Sequence, residues 1–94
     1  MDMKNPPHPG GLIGDNLSEF RVSISSAAKG LGITRQQLHN IIAGRCGITP
    51  EMAVKLEKAI GSTADTWLRL QMNYDLAQIR KREASIKIKR LVPA

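Results

Sequence analysis

Apolar residues recur along the chain at the three- and four-residue spacings of helices that bury one side, and this pattern predicts five helices. The first is expected over about residues 12–20 and the second over 23–30, with Gly32 breaking the chain after it. Thr34 is expected to cap a third helix that runs to about Ala43, and Gly44 to end it in a left-handed conformation. The pattern therefore predicts an all-α core.

The last two predicted helices have strong start signals. Thr49, Pro50 and Glu51 combine an N-cap, a proline at the first helical position and an acid near the positive helix end. A fourth helix is expected from here to near residue 61. Thr63 can cap a fifth, longer helix, with Asp65 in its first turn, that continues to about residue 81. One five-helix domain over residues 12–81 follows.

The two ends of the chain depart from this periodicity. Residues 1–11 contain three prolines and two glycines, a composition that predicts an extended N-terminal arm. Within residues 82–94, Ile86, Ile88 and Val92 alternate with polar positions. This basic C-terminal tail is predicted to be either a short edge strand or a disordered segment.

Charge is distributed unevenly. The formal net charge is +6, and residues 78–94 hold six basic residues against a single acid. Between Glu19 and Glu51 there is no acidic residue at all. The basic residues of that stretch are Arg21, Lys29, Arg35 and Arg45. An acid-free, basic stretch favours contact with phosphate groups.

Several function classes are disfavoured by what the sequence lacks. A single cysteine excludes an intrachain disulfide, and no apolar run approaches the roughly 20 residues that span a bilayer. We therefore expect a soluble, cytoplasmic protein that does not enter a membrane. His8, His39 and Cys46 are the conventional catalytic candidates, but no base, nucleophile and orienting group emerge together. No enzyme activity, metal site or cofactor is predicted.

Two short helices joined by a tight turn are indicated by Ala28, Gly32, Leu38 and Ile41. Ala28 is small enough for a close helix crossing, and Gly32 permits the positive φ of a sharp turn. Leu38 and Ile41 anchor the second helix in the core. This pattern predicts a helix-turn-helix over residues 23–44, although a glycine between two helices also occurs in bundles that bind no DNA.

The outward side of the predicted third helix carries amides rather than charges. On a helical wheel, Leu38, Ile41 and Ile42 cluster on one side, while Gln36 and Asn40 point nearly opposite. Solvated helix faces usually carry Glu and Lys, whereas Gln and Asn can bond adenine through two hydrogen bonds. The face therefore predicts base reading in the DNA major groove.

Individual contacts follow from this geometry, because the N-terminal turn of the second helix faces the base edges in such a motif. The main candidates for base contact are Thr34, Arg35, Gln36 and Asn40, with Gln37 and His39 as secondary candidates. The candidates for phosphate contact are Ser23, Ser25, Lys29 and Arg45. Any of these last four could equally be an ordinary solvated residue.

Three segments of the chain carry a family resemblance: HPGGLI at residues 8–13, GITRQQLHNIIAGRCGITPEMAVKLEKAIGS at 32–62 and WLRLQMNYDL at 67–76. They resemble the Cro/C1-type repressors and, more narrowly, the HigA (VapI-like) antitoxins. The resemblance covers about residues 8–80 and implies a lambda-repressor-like DNA-binding fold. It also implies an antitoxin that represses its own operon and neutralises a ribosome-dependent, mRNA-cleaving toxin of RelE-like fold.

The predicted fifth helix has two apolar stripes on nearly opposite sides. One contains Trp67 and Tyr74 and can seal the subunit's own core. The other consists of Leu68, Met72, Leu76 and Ile79. It predicts a homodimer interface, unless the tail folds back over it. A twofold dimer places two reading helices about one DNA turn apart, roughly 34 Å, as a palindromic operator requires.

Two other functions are compatible with the same sequence. A module that binds mainly protein would use the basic tail as an added strand, and weak salt dependence of DNA binding would identify it. A stand-alone repressor without a toxin is the other alternative. An adjacent short open reading frame for a RelE-sized basic protein would favour the antitoxin, and its absence the repressor.

Overall fold

Five α-helices in chain order form the fold of a computed structural model, which describes residues 5–93. Their bounds are α1 Pro9–Glu19, α2 Ile24–Leu31, α3 Arg35–Ile42, α4 Pro50–Ala59 and α5 Ala64–Arg80. A single 3-10 turn, Glu83–Ser85, follows α5. These bounds confirm the all-α, five-helix prediction, and each predicted end of helices two to five lies within about two residues of the observed one.

Helices α2 to α5 begin at a hydroxyl side chain that accepts a hydrogen bond from the backbone N–H three residues later. The caps are Ser23, Thr34, Thr49 and Thr63. Their Oγ atoms lie 3.0 to 3.2 Å from the nitrogens they accept from. Each cap satisfies a donor that the first turn would otherwise leave without a partner, which is why the start signals in the sequence were reliable.

The start of α1 corrects the predicted arm of residues 1–11. His8 is the N-cap, its Nδ1 accepting from the Gly10 N–H at 2.9 Å, and Pro9 takes the first helical position. Proline is favourable there because its missing N–H would have no helical partner. Residues 9–11 are therefore helical, and of the predicted arm residues 1–4 lie outside the described part of the chain.

Left-handed glycines end α2 and α3 in the same way. Gly32 has φ +71°, and the Ile33 N–H donates to the Ala28 carbonyl at 3.0 Å. Gly44 has φ +76°, and the Arg45 N–H donates to the Asn40 carbonyl at 2.9 Å. Both endings satisfy helix-terminal carbonyls in the Schellman pattern. The turn between α2 and α3 is thus as tight as the sequence predicted.

The core contains buried residues from all five helices, including one tryptophan. Trp67 is 1% exposed, and its Nε1 donates to the Gly61 carbonyl at 2.9 Å, so the indole's polar atom is satisfied. The other buried core residues are Ile13, Leu17, Ala28, Leu31, Leu38, Ile41, Ile48, Ala53 and Leu56. Helix α3 packs against α1 and α2, while α4 packs mainly against α5.

The C-terminal tail does not form the short strand that was one of its two predicted states. Within residues 82–93 there is no strand, only the 3-10 turn, bends and irregular backbone. Ile88 is 81% exposed and Leu91 95% exposed. An alternating segment needs a sheet edge to pair with, and residues 5–93 contain no sheet. No helix within those residues combines the length and apolarity that crossing a membrane requires.

Candidate nucleic-acid interface

Helices α2 and α3 form the helix-turn-helix, with buried residues on the inner side of each. Ala28 and Leu31 of α2 and Leu38 and Ile41 of α3 all belong to the core. Because the inner face of α3 is fixed in this way, its opposite face is held outward. Ile24, the first residue of α2, borders the same shallow surface depression as Arg35, Gln36 and His39 of α3, so the start of α2 lies beside the start of α3.

The outer face of α3 presents the amides expected from the sequence. Gln36 is exposed and Asn40 half-buried, and the Gln36 Nε2 donates to the Asn40 Oδ1 at 3.0 Å. Arg35 and His39 are exposed on either side. The paired amides retain one Gln36 N–H, the Gln36 carbonyl oxygen and both Asn40 N–H groups for other partners. This is a set of donors and acceptors suited to base edges in the major groove.

Thr34 and Gln37 are engaged in capping α3. The Thr34 Oγ1 accepts from the Gln37 N–H at 3.0 Å, and the Gln37 Oε1 accepts from the Thr34 N–H at 2.8 Å. This reciprocal arrangement is a capping box. Sequence reasoning missed it, although a threonine followed three residues later by a glutamine is its signature. Gln37 keeps its side-chain N–H groups, and Thr34 its hydroxyl proton, for donation to another group.

All four phosphate candidates have exposed side chains. Ser23 caps α2 by accepting from the Ser26 N–H, so its hydroxyl proton is free to donate outward, and Ser25 lies in the first turn beside it. Lys29 lies in the last turn of α2, and Arg45 follows the left-handed glycine after α3. Ser23, Ser25 and Lys29 thus lie along α2, and Arg45 lies just beyond the C-terminal end of α3.

The first turns of α2 and α3 contain no acidic residue, whereas Glu51 and Asp65 occupy the first turns of α4 and α5. A helix N-terminus carries a partial positive charge of about half a unit, which a nearby carboxylate offsets. At α2 and α3 this partial charge is not offset by the helix itself. Both ends are therefore electrostatically suited to an anion such as a DNA phosphate.

The stripe proposed for dimerisation is largely exposed along α5. Met72 is 52% exposed, and Leu76 and Ile79 are exposed with it. Leu68 is only half-buried and packs against the core, so it belongs in part to the subunit's own interior. The tail does not seal this stripe, since its own apolar residues are exposed as well.

A buried amide on α5 was not singled out from the sequence. Gln71 is 7% exposed, its Oε1 accepts from the Ile48 N–H at 2.9 Å, and its Nε2 donates to Asp75 at 3.0 Å. Nearby, the rings of His8 and Tyr74 meet edge to face at 4.8 Å. Burial lowers the pKa of His8 below its ordinary value of 6.5, while Asp75 and the Cys46 backbone act in the opposite direction.

This cluster joins the first and third of the segments that carried the family resemblance. His8 comes from the histidine-proline-glycine entry, and Gln71, Tyr74 and Asp75 come from the glutamine-tyrosine-aspartate run. In the part of the chain that the structure describes, no three His, Cys, Asp or Glu side chains are grouped as metal ligands would be. Cys46 is exposed as a free thiol. The contacts within the cluster are the edge-to-face packing of His8 on Tyr74 and the hydrogen bonds of Gln71.

The helix-turn-helix family model matches residues 19–68, which include the whole of α2, α3 and α4. The chain belongs to this family, the Cro/C1-type helix-turn-helix proteins, whose members are DNA-binding regulators rather than enzymes. Its sequence is 50% identical over 78 residues to virulence-associated protein A' of Dichelobacter nodosus, covering 82% of this chain and 68% of that one.

Within the family, the chain is similar to the HigA antitoxins. A HigA-family addiction module antidote protein from Coxiella burnetii superposes with a TM-score of 0.83 at 31% identity, over 96% of this chain and 99% of that one. The Pseudomonas aeruginosa antitoxin HigA, solved with the higBA promoter, superposes with a TM-score of 0.82 at 29% identity, over 94% of this chain and 100% of that one. The resemblance stated from three sequence segments is thereby confirmed.

Proposed function

We propose that this chain is the antitoxin of a type II toxin-antitoxin system, which binds operator DNA as a homodimer, represses its own operon and neutralises a RelE-like mRNA-cleaving toxin. The observation that carries the DNA-binding part is the outer face of α3, where exposed Gln36 donates to Asn40 beside Arg35. The similarity to HigA, including a relative solved with promoter DNA, supports the antitoxin role. The cytoplasm is the proposed site of action.

Base reading by α3 is tested by comparing the chain's own promoter with random DNA. Gln36→Ala should cost about 1 to 3 kcal/mol of binding free energy on the true operator and little on random DNA. Asn73→Ala is a matched control, because Asn73 is an exposed amide on α5, outside the helix-turn-helix. Equal losses on both DNAs would assign Gln36 to positioning rather than to base reading.

Phosphate contact is tested by the salt dependence of operator binding. Each phosphate neutralised by Lys or Arg contributes a slope of about −0.9 in a plot of log affinity against log salt. Lys29→Ala and Arg45→Ala should each make the slope of the dimer shallower by about 1.8, one such step for each subunit, while leaving the preferred sequence unchanged. A flat plot for the unmodified protein would favour a module that binds mainly protein.

The homodimer is tested on the exposed stripe of α5. Met72→Asp should weaken operator binding by about 100-fold, because each half-site then binds without the avidity of the pair. Light scattering should show a monomer for Met72→Asp and a dimer for Asn73→Asp, the adjacent exposed position with the same added charge. A full dimer with Met72→Asp would move the interface elsewhere.

The toxin is tested first by the neighbouring gene. An adjacent open reading frame for a small basic protein should yield a product that arrests translation when expressed alone and is tolerated when this chain is co-expressed. The two proteins should then co-purify and bind the shared promoter. Operator repression without any such neighbour would assign the chain to the stand-alone repressors.

A further inference from the structure

The loop that follows the reading helix is held in place by residues outside the helix-turn-helix. It runs from Ala43 to Ile48 and carries Arg45, a candidate phosphate contact. At its end, the Ile48 N–H donates to the Gln71 Oε1 at 2.9 Å. The Gln71 amide also lies directly against the backbone of Gly47, since a Cβ added there would be 3.2 Å from the Gln71 Cδ.

The start of the same loop rests on a second support. A Cβ added at Gly44 would lie 3.7 Å from the His8 ring, so the imidazole packs beneath this left-handed turn. The same imidazole ring meets the Tyr74 ring edge to face, with the ring centroids 4.8 Å apart. Helix α5 therefore reaches the loop twice, directly through Gln71 and indirectly through Tyr74 and His8.

Gln71 is itself oriented by a partner on its own helix. Its Nε2 donates to the Asp75 Oδ1 at 3.0 Å, which leaves the Oε1 facing the Ile48 N–H. An amide that is 7% exposed has few alternatives to these two bonds, because water is largely excluded from it. The Asp75–Gln71–Ile48 chain of hydrogen bonds consequently fixes one geometry for the loop.

We propose that Gln71 is a positioning residue for DNA binding, which holds the loop of residues 43–48 so that Arg45 meets a DNA phosphate. His8 and Tyr74 assist by supporting Gly44. This inference rests on the proposed function, because it presumes that the chain binds operator DNA. It assigns a role in DNA binding to a helix outside the reading pair.

The principal test compares Gln71→Met with Asn73→Met, an exposed amide two residues along the same helix. Both changes preserve net charge. At a temperature where circular dichroism shows both proteins folded, Gln71→Met should lower the operator affinity of the dimer by about 100-fold, as expected for losing one charge-assisted contact, about tenfold, in each of two subunits. Its salt slope should become shallower by about 1.8, one phosphate contact of about 0.9 in each subunit, and hydrogen exchange of the Ile48 amide should accelerate. Asn73→Met should match the unmodified protein.

A second test, which does not depend on Gln71→Met folding, exchanges the amide and the carboxylate between positions 71 and 75. Gln71→Glu keeps an acceptor for Ile48 but places a second carboxylate against Asp75, so operator binding should weaken beyond the Asn73→Asp control. Adding Asp75→Asn restores a donor–acceptor pair with the direction reversed, and affinity should return to within about twofold of the unmodified protein.

Two results would overturn the proposal. One is a folded Gln71→Met protein with unchanged operator affinity and unchanged salt slope. The other, decisive even if Gln71→Met does not fold, is equal binding by Gln71→Glu with and without Asp75→Asn. Failure of the unmodified protein to bind its promoter would instead overturn the proposed function. That measurement needs no variant, so the two failures are distinguishable.

Discussion

Helices α2 and α3 begin with the same kind of hydroxyl cap as α4 and α5, yet the two pairs differ in charge at that end. Thr34 and Thr49 cap α3 and α4 with nearly the same geometry, at 3.0 and 3.2 Å. Glu51 then follows in α4, whereas α3 has Arg35 as its first residue. A carboxylate near a helix N-terminus contributes about 0.3 to 1 kcal/mol. The first pair forgoes this stabilisation and keeps a positive end, which the proposed DNA contact requires.

Among tests of this contrast, the largest effect is expected from placing an acid in the first turn of α2, where α4 has Glu51. Ser25→Glu should stabilise the fold slightly, by about 0.3 to 1 kcal/mol, while lowering operator affinity at least about tenfold through repulsion of a phosphate. Thermal unfolding and DNA titration measure the two effects on one protein. Ser25→Gln, of similar size without charge, is the control. A variant that loses stability and binding together would remove the contrast between the helix pairs.

Removing the threonine cap of α3, and separately that of α4, is expected to have the next largest effect. Thr34→Ala and Thr49→Ala should each lower the free energy of unfolding by about 1 kcal/mol, because each leaves a first-turn N–H without its acceptor. Under conditions where both proteins are fully folded, only Thr34→Ala should also weaken operator binding. Equal DNA affinity for the two variants would show that the N-terminus of α3 does not approach the DNA.

Neutralising the acid of α4 is expected to change stability alone. Glu51→Gln should cost about 0.3 to 1 kcal/mol of unfolding free energy, because the partial positive charge of that helix end is no longer offset. Chemical denaturation at low salt gives the clearest measurement, since salt screens this interaction. A loss of operator affinity larger than the unfolded fraction explains would place α4 at the DNA and would contradict the contrast between the two helix pairs.

Helix α1 has a titratable cap, for which the smallest effect is expected. The folded protein binds a proton at His8 less readily than the unfolded chain does, because burial lowers the pKa of His8 below 6.5. Its contribution to stability is therefore complete above pH 6.5 and is lost as the pH falls through 6.5 towards the folded value. Melting temperature should drop over that range.

The substitution His8→Asn keeps a capping acceptor that does not titrate in this range, so the pH dependence of melting should flatten. His39→Asn is the control, because it removes the other histidine from an exposed position on α3. A melting profile as steep for His8→Asn as for the unmodified protein would assign the acid sensitivity to other groups.

The parts of the fold that the sequence predicted are those specified by neighbouring residues. A hydroxyl cap and the N–H it accepts from are three residues apart, and a left-handed glycine ends the helix directly before it. The outward direction of Gln36 and Asn40 follows from helical period once Leu38 and Ile41 are inside. Most of the candidate nucleic-acid face could therefore be located without coordinates.

The features that the sequence did not predict depend on a partner distant along the chain, or on a residue type that can cap a helix as well as contact DNA. Gln71 accepts from an N–H that is 23 residues away, and a pattern of apolar spacing treats a glutamine as solvated. Gln37 was ranked only by its donors and acceptors for DNA, although its carbonyl oxygen closes a capping box. At the N-terminus, the prolines and glycines predicted an extended arm, whereas the structure has a helix that begins at Pro9 with His8 as its cap.

Gly10 in α1 allows the backbones of α1 and α3 to pack closely. A Cβ built on Gly10 would overlap the carbonyl oxygen of Ile41, near the end of α3. Backbone here is stacked on backbone, so there is no flexible side chain that could yield to an added methyl group. Gly10→Ala would therefore shift α1 relative to α3. If α3 binds DNA as proposed, this substitution should change DNA affinity without altering any side chain of the proposed contact face.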